Sequence, residues 1–193
     1  RILDAATGTG DLAFRLARRA GESGRIVGLD FNGAMLRQAE QKSESRELKS
    51  AAPIDWVEAD LLDLPFSDDA FDRATVGFGI RNVDDPRRAL RQLHRVVRPG
   101  GRIVILEFGQ PDGIFGSMYS LYSETVIPWL GGLITGDREA YAYLHSSSSQ
   151  FPCGEDFLEV ARSAAQFDAL DWRTLTGGIA FIYSLDVPAS NSR

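Results

Sequence analysis

The chain has 193 residues, of which 44% are hydrophobic and 25% are charged, as is typical of one globular domain with a full core. Its formal net charge of -6 argues against a general nucleic-acid binder, because contacts to a phosphate backbone require a basic surface. The single cysteine, Cys153, excludes an internal disulfide, and two histidines are too few for a metal cluster. We therefore expect a reducing compartment, no metal and no nucleic-acid partner.

The sequence also bears on cellular location. It has no apolar run long enough for a transmembrane helix and no signal peptide before the first predicted strand. The chain begins at Arg1, almost inside that strand and without methionine, so we expect that an N-terminal segment is missing from it. These features predict a cytoplasmic protein.

A glycine-rich turn lies between the first predicted strand and the first predicted helix. Its residues 7–10 read Thr-Gly-Thr-Gly. Gly8 and Gly10 have no Cβ atom, so a ligand can lie against bare backbone at a helix N-terminus, where amide N–H groups point outward. The next strand ends about twenty residues later at Asp30, whose carboxylate can accept both hydroxyls of a ribose. The turn and this carboxylate predict a nucleoside-binding site; the alternative is a turn that binds nothing.

The turn alone does not identify the nucleoside. Gly8-Thr-Gly10-Asp-Leu-Ala13 also fits the dinucleotide-binding fingerprint with alanine in third place. An NAD-dependent oxidoreductase is therefore an alternative that the rest of the chain has to decide.

Strand and helix patterns alternate up to residue 108. Apolar periodicity predicts helices that begin at residue 11, at residue 33 (to about 48) and at residue 86 (to 97). This alternation implies a parallel sheet covered on both faces, with a ligand crevice at the carboxyl ends of the strands. The predicted strands after the glycine turn are 25–30, 54–60, 71–77 and 102–108.

The alternation breaks after the fifth strand. Residues 110–150 form an aromatic, glycine-punctuated insert, and residues 154–167 predict another helix. Two extended runs, 170–175 and 179–185, flank a Thr-Gly-Gly turn and predict a hairpin that places an antiparallel strand at the sheet edge. Residues 186–193 have the composition of a flexible tail.

Six short motifs complete the pattern: Asp4-Ala-Ala-Thr-Gly-Thr-Gly-Asp11, Leu64-Pro-Phe66, Gly77-Phe-Gly-Ile-Arg-Asn-Val83, Leu106-Glu-Phe108, Glu139-Ala-Tyr-Ala-Tyr-Leu144 and Leu175-Thr-Gly-Gly-Ile-Ala180. Together they resemble the demethylmenaquinone and polyprenyl-benzoquinol C-methyltransferases, a family of class I S-adenosylmethionine-dependent methyltransferases. The similarity covers the chain from the first strand to the hairpin. It implies an α/β, Rossmann-like class I methyltransferase fold, with a mostly parallel seven-stranded sheet and an antiparallel terminal hairpin strand. Residues 1–185 would be one methyltransferase domain.

The resemblance also implies where the cofactor, S-adenosyl-L-methionine, binds. The glycine turn would contact its methionine and ribose portions, and Asp30 would bind the ribose diol. Asp60 with Leu61 would lie beside the adenine, and Gly77 on the methionine side. The predicted cofactor-binding residues are Thr7, Gly8, Thr9, Gly10, Asp30, Phe31, Asp60, Leu61 and Gly77.

The reaction that the resemblance implies is C-methylation of a prenylated quinol. The product would be menaquinol from demethylmenaquinol, or the methylated polyprenyl-methoxybenzoquinol of ubiquinone biosynthesis. Arg81 is the predicted catalytic residue, with Asn82 orienting it or the ring. A guanidinium is almost never deprotonated, so we expect Arg81 to stabilise the phenolate oxygen while water or a carboxylate takes the proton. The alternative for Arg81 is a salt-bridged turn residue.

The insert is the predicted acceptor side of the site. Its aromatic stretch, 114–134, is suited either to a lid over a long prenyl tail or to plain core filling. Tyr119, Tyr122 and Tyr141 are the predicted substrate contacts. Residues 144–152 depart from the family pattern, which puts a substrate role for that stretch in doubt.

Four arginines on the third predicted helix, Arg88, Arg91, Arg95 and Arg98, recur three or four residues apart. A solvated helix face explains them, and a contact with anionic lipid headgroups is a further hypothesis. Such a contact would place the protein peripherally at the inner membrane surface.

Three matters stay open from sequence. The fold would also serve a methyltransferase for another small-molecule or lipid acceptor, or a cofactor-binding scaffold without turnover. The oligomeric state is undetermined, with a homodimer as one option. Ala6 stands where many methyltransferases have the first glycine of the turn, a replacement that is harmless if its φ is negative.

Overall fold

The structure of the protein is a computed structural model that describes residues 1–45, 51–109 and 151–189. These residues form one sheet with helices on its two faces. The strands are β1 (Ile2–Ala5), β2 (Ile26–Asp30), β3 (Ile54–Glu58), β4 (Phe71–Gly77), β5 (Val97–Phe108), β6 (Ala169–Leu175) and β7 (Ala180–Asp186). The helices are α1 (Asp11–Ala20), α2 (Gly33–Ser45), α3 (Pro86–Val96) and α4 (Glu155–Ala164).

The seven strands have the order β3-β2-β1-β4-β5-β7-β6. β1 to β5 run parallel, and β7 pairs antiparallel with both β5 and β6. The predicted fold class is therefore confirmed. The hairpin is present, but its antiparallel strand β7 lies one position inside the sheet, and β6 occupies the edge. Every second residue of β7 is buried, so β7 takes the inner position, with a neighbouring strand on each side. Most of β6 is exposed, so β6 lies at the edge of the sheet.

The chain reverses its direction of travel across the sheet between β3 and β4. From β1 it moves outward through β2 to β3, then returns to β4 on the other side of β1. In such sheets a crevice opens outside the carboxyl ends of the strands at the reversal. The segments that follow β1 and β4 therefore meet at one place.

Buried apolar side chains explain the parallel arrangement. Every residue of β2 is buried, as are Leu3, Asp4 and Ala5 of β1. Leu3 and Ala5 face a core that includes residues of α3 and α4, while Ile2 packs with α1 on the opposite face. Strands covered on both faces need continuous apolar runs, and the sequence supplies them.

Two predicted elements have boundaries that shift by three residues or more in the structure, and one boundary cannot be compared. β5 begins at Val97 rather than at 102, because Val97 pairs with Phe71 before the Arg98-Pro-Gly-Gly101 stretch bulges out of register. The helix predicted for 154–167 is shorter, ending at Ala164. α2 is described as far as Ser45, and its predicted extension to 48 lies outside the described residues.

Three of the four arginines of the predicted basic stripe make contacts within the chain, and Arg91 does so through an ion pair with Asp85 at 3.8 Å. The guanidinium of Arg95 donates to the carbonyl oxygens of Phe66 at 2.6 Å and Leu64 at 2.9 Å. Arg98 forms an ion pair with Asp72 at 2.6 Å. The stripe is therefore not one continuous free basic face.

The first four residues of the tail predicted for 186–193 make contacts with the fold, and residues 190–193 lie outside the described residues. Asp186 belongs to β7 and forms an ion pair with Arg102 at 2.5 Å. Val187 is 2% exposed, and its N–H donates to the carbonyl of Gly101. Residues 186–189 are therefore part of the fold, because the bulge of β5 gives them partners.

The insert, 110–150, lies outside the described residues, and with it the predicted substrate contacts Tyr119, Tyr122 and Tyr141. Among the helices that the structure does describe, none has the length and apolarity needed to cross a membrane.

Candidate functional site

A cavity of about 660 Å³ lies where the strand order reverses. Small-molecule pockets typically measure about 300–1,000 Å³. All predicted cofactor-binding residues except Thr9 and Gly10 line it, as does Asn82, whereas Arg81 is not part of the lining. The lining residues are Ala6, Thr7, Gly8, Leu29, Asp30, Phe31, Asn32, Met35, Ala59, Asp60, Leu61, Leu62, Gly77, Phe78, Gly79, Asn82, Val83 and Asp84.

Asp30 ties the glycine turn to the end of β2. Its Oδ2 accepts a hydrogen bond from the Gly8 N–H at 2.8 Å, and its Oδ1 accepts one from the Asn32 N–H at 2.9 Å. The side chain is 5% exposed and lines the cavity. A carboxylate has about four lone-pair sites, so two bonds leave capacity for hydroxyls of a ligand. Asp30 can therefore hold both the turn and a ribose.

Thr9 and Gly10 lie in the turn but face away from the cavity. The Lys42 ammonium on α2 donates to Thr9 Oγ1 at 2.7 Å, which points this side chain toward α2. A Cβ on Gly10 would lie 2.5 Å from the Trp56 ring, and Gly10 has a φ of 82°. Gly10 thus permits close packing and a left-handed N-cap of α1. The predicted cofactor contacts of these two residues are not supported by their placement.

The cavity has an exposed apolar surface next to an acid, formed by residues that follow β2 and β3. Phe31 is 75% exposed and Met35 is 42% exposed, and both line the cavity. Leu61 is buried, and Asp60 is exposed with its Oδ1 accepting from the Leu62 N–H at 2.8 Å. A large exposed aromatic ring at a cavity is the feature expected of a surface that covers a flat ligand.

The charged residues among the described lining are all acidic. They are Asp30, Asp60 and Asp84, which follow β2, β3 and β4. Such a wall favours a ligand that carries positive charge, such as a sulfonium with an amino group. It disfavours the anionic pyrophosphate of a dinucleotide, so the charges favour S-adenosylmethionine over NAD.

Asp4 is a further acid of this region, and it is buried beneath the turn. It is 1% exposed, and it accepts from the hydroxyls of Thr7 at 2.6 Å and Thr75 at 2.8 Å. Burial disfavours its charge and raises its pKa to about 6, although these hydroxyls and the Ala13 N–H lower it in part. The charge of Asp30 adds to the increase. Asp4 therefore joins β1, the turn and β4 at an energetic cost near neutral pH.

We predict that Asp4→Asn increases stability at neutral pH. Below pH 4 the folded and unfolded chains both carry a protonated Asp4, so wild type and variant should differ little through this group. Between pH 4 and 6 the unfolded chain loses the proton first, and above pH 6 the buried carboxylate costs about 3 kcal/mol, which the variant avoids. Urea unfolding from pH 4 to 8 measures the gap, and a gap that does not change with pH would contradict the prediction.

Ala6 has a φ of 54°, so the condition for a harmless replacement of the glycine is not met. An L-residue with a side chain costs roughly 1–2 kcal/mol in this left-handed region. The segment after β4 packs closely against it, and a Cβ on Gly79 would lie 2.4 Å from the Ala6 Cβ. The turn therefore carries strain where it lines the cavity.

Arg81 forms a buried ion pair behind the cavity wall. Its Nη1 lies 2.6 Å from Oε1 of Glu107, with the two side chains 6% and 1% exposed. The same nitrogen donates to the carbonyl oxygen of Phe78 at 2.6 Å, and the guanidinium lies 5.1 Å from the centre of the Phe108 ring. The salt-bridged role that the sequence left as an alternative for Arg81 is thus present.

Sequence reasoning missed Asp4, Phe78 and Glu107 as parts of this region. Asp4 is an acid inside an otherwise apolar strand, and Phe78 stands between two glycines directly after β4. Both are signals visible in the sequence. Glu107 carries no such signal, because its role depends on Arg81, which is distant along the chain. Within the described ranges, no cluster of histidine, cysteine and acidic residues is arranged to hold a metal ion.

Solved structures identify the fold. The chain is similar to the [4+2]-cyclase SpnF, with a TM-score of 0.72 at 21% identity, over 98% of this chain and 76% of that one. It is also similar to a SAM-dependent methyltransferase from Aquifex aeolicus, with a TM-score of 0.63 at 18% identity, over 96% and 81%. The fold is that of the class I S-adenosylmethionine-dependent methyltransferases.

Sequence relatives narrow this class. The model of the ubiE/COQ5 methyltransferase family matches residues 1–185, and the chain belongs to that family. It is 47% identical to the demethylmenaquinone methyltransferase of Thermus thermophilus, over 97% of this chain and 83% of the relative. It is 44% identical to the ubiquinone/menaquinone biosynthesis C-methyltransferase UbiE of Bdellovibrio bacteriovorus, over 95% and 76%. The protein is therefore an S-adenosylmethionine-dependent C-methyltransferase, and the sequence-based assignment is confirmed.

Proposed function

We propose that this protein methylates a ring carbon of a prenylated quinol. The acceptor would be demethylmenaquinol, the polyprenyl-methoxybenzoquinol of ubiquinone biosynthesis, or both. The observation that carries the proposal is the acidic and aromatic cavity of a chain that belongs to this family. The names of its relatives support the two ring types.

The residues at the cavity fit S-adenosylmethionine. Asp30 would hold the ribose, Phe31 and Leu61 would cover the adenine, and Asp60 would lie beside it. Bare backbone at Gly8 would admit the methionine portion, with Thr7 and Gly77 next to it. The cofactor, when bound, supplies a methyl group that is already electrophilic. The protein therefore has to orient the acceptor, exclude water and manage one proton.

Two tasks, removal of the hydroxyl proton and stabilisation of the developing negative charge, are assigned to the segment after β4. We propose that Asn82, which lines the cavity, contacts the acceptor ring or its hydroxyl. We propose that the charge of Arg81, just behind this wall, stabilises the phenolate oxygen. The hydroxyl proton would leave to water or to a carboxylate, and Asp84 is the acid that lines the cavity nearest to Asn82 in the chain.

The acceptor tail is assigned to the insert. We propose that residues 1–185 act as one domain in which 110–150 cover the acceptor. Tyr119, Tyr122 and Tyr141 would contact the quinol or its prenyl tail. The support is that β5 ends at Phe108, beside the segment after β4, and leads directly into the insert.

We also propose a peripheral contact with anionic lipid at the inner membrane surface, where a prenylated substrate resides. Arg88 and Arg91 of α3 would provide it, since Arg95 and Arg98 are held by closer contacts and the ion pair of Arg91 with Asp85, at 3.8 Å, is exposed to solvent. A homodimer is the proposed assembly. Charge reversal of Arg88 and Arg91 would leave vesicle binding unchanged if this contact does not exist.

The experiment that tests the function is transfer of labelled methyl from S-adenosylmethionine to each of the two quinols, measured side by side. Product from either quinol establishes the reaction and identifies the ring. If the cofactor binds and neither quinol is methylated, the proposed acceptor is wrong. Binding without transfer to any acceptor would indicate a scaffold protein.

A further inference from the structure

Phe78 is a large aromatic residue held in an unusual backbone conformation at the cavity wall. Its φ is 55°, and its side chain is 37% exposed and lines the cavity. A bulky residue with positive φ is a genuine outlier in proteins. Such strain persists only where the surroundings enforce it, and it concentrates at functional sites.

Hydrogen bonds to the backbone of Phe78 enforce this conformation. The Phe78 N–H donates to the carbonyl of Leu106 at 2.7 Å, and its own carbonyl accepts from Arg81 Nη1 at 2.6 Å. Arg81 is in turn held by Glu107. The buried ion pair therefore fixes the backbone of an exposed aromatic residue.

The Phe78 ring is also supported from one side. Its centre lies 4.3 Å from the centre of Phe108, with the ring planes 33° apart. The Arg81 guanidinium lies on Phe108, 5.1 Å from its centre. The Phe78 ring is thus packed against the Phe108 ring, over which the cation lies, while part of Phe78 remains open to the cavity.

The cavity has a second exposed apolar surface, formed by Phe31 and Met35 after β2. That surface lies next to Asp30, on the side suited to a nucleoside. Phe78 follows β4, which is on the other side of β1 from β2. Two aromatic surfaces on opposite sides of the reversal point suit two flat ligands.

We infer that Phe78 is the surface on which the aromatic ring of the acceptor stacks, and that the pair of Arg81 and Glu107 positions it. This inference rests on the proposed quinol methylation and adds to it the residue that selects a flat ring. Offset stacking requires an aromatic face, so an aliphatic side chain of similar size cannot replace it. Phe78 is therefore a specificity-determining residue for the acceptor.

Steady-state kinetics of Phe78→Leu test the inference, with both quinols as acceptors. We expect the KM for the quinol to rise about 3–10-fold, the loss that one aromatic pair accounts for, while cofactor affinity changes less than about 2-fold. Phe78→Trp should keep the wild-type KM within about 2-fold, because it retains the face. The matched control is Trp172→Leu on β6, since Trp172 is equally exposed at 37% and does not line this cavity.

A second measurement does not depend on how well Phe78→Leu folds. Quinone rings that stack on a tryptophan should quench its fluorescence, so a short-chain naphthoquinone should quench the added emission of Phe78→Trp relative to wild type. No added quenching, or an unchanged KM in Phe78→Leu, overturns the inference while wild-type turnover still supports the function. If the wild-type protein methylates neither quinol, both the proposed function and the inference about Phe78 are wrong.

Discussion

Replacing Glu107 with alanine is expected to destabilise the fold by about 3–5 kcal/mol, because it leaves a buried guanidinium without its counter-ion. The Nη1–Oε1 distance is 2.6 Å, and neither side chain is more than 6% exposed. Glu107 also accepts from the N–H of Phe108 at 2.9 Å, which the alanine cannot do. Urea unfolding at pH 7 gives the free energy of unfolding of each variant.

Two control variants distinguish the free-energy cost of burying an unpaired charge from the cost of losing a contact. Arg81→Met combined with Glu107→Leu removes both charges, and this double variant should recover most of the lost stability. Glu159→Ala removes an exposed ion pair with Arg162, and its midpoint of unfolding should hardly move, since solvent screens that pair. A Glu107→Ala variant as stable as Glu159→Ala would contradict the prediction.

The same double variant decides between the two roles of Arg81. Loss of activity in Arg81→Ala alone would not separate catalysis from misfolding, because the structure uses Arg81 to hold Phe78 and Glu107. If the double variant is folded, binds the cofactor and loses kcat while its KM for the quinol stays near wild type, the charge of Arg81 is needed for the reaction. A raised KM with little change in kcat would indicate that Phe78 has lost its position. Activity near wild type in either variant would rule against a catalytic role.

Replacing Asp30 with alanine is expected to weaken the affinity for S-adenosylmethionine about 100-fold. Two hydrogen bonds from ribose hydroxyls to a carboxylate contribute roughly 1.5 kcal/mol each, and 1.4 kcal/mol corresponds to a factor of ten. The variant also loses the bond from the Gly8 N–H that shapes the turn. Isothermal titration calorimetry measures the dissociation constant directly.

Two acids serve as comparisons for Asp30. Asp60→Ala should weaken cofactor affinity about 10-fold or less, because this exposed carboxylate is one weaker contact in water. Asp55→Ala should leave it unchanged, since Asp55 pairs with Arg25 on the surface of β3. An effect at Asp30 no larger than that at Asp60 would show that the ribose is held elsewhere.

Much of the fold and part of the site follow from local sequence signals. The alternation of apolar strands with amphipathic helices predicted the parallel sheet and a crevice at the carboxyl ends of its strands. In the structure this crevice lies where the strand order reverses. The spacing of the glycine turn and Asp30 predicted a nucleoside site, and the two meet through a hydrogen bond of 2.8 Å. These features are encoded within short windows, where periodicity and turn chemistry act directly.

Other features depend on contacts between segments far apart in the chain. β7 is inserted between β5 and β6. The pairing energy between strands of the sheet decides this order, and no local sequence pattern predicts it. Gly10 is needed because of Trp56, and Gly79 is needed because of Ala6, whose own φ is positive. Steric fit between elements therefore decided what these small residues do.

The sequence by itself determined the residue types that the chemistry needs: an acid after β2, an acid after β3, and an arginine after β4. Only the tertiary structure decided which of them face the cavity. Arg81 turns to Glu107 because a buried charge must find a partner, and that partner is supplied by β5, the neighbouring strand. Asp4 acquires its raised pKa in the same way, from burial that exists only once β1, the turn and β4 have packed together.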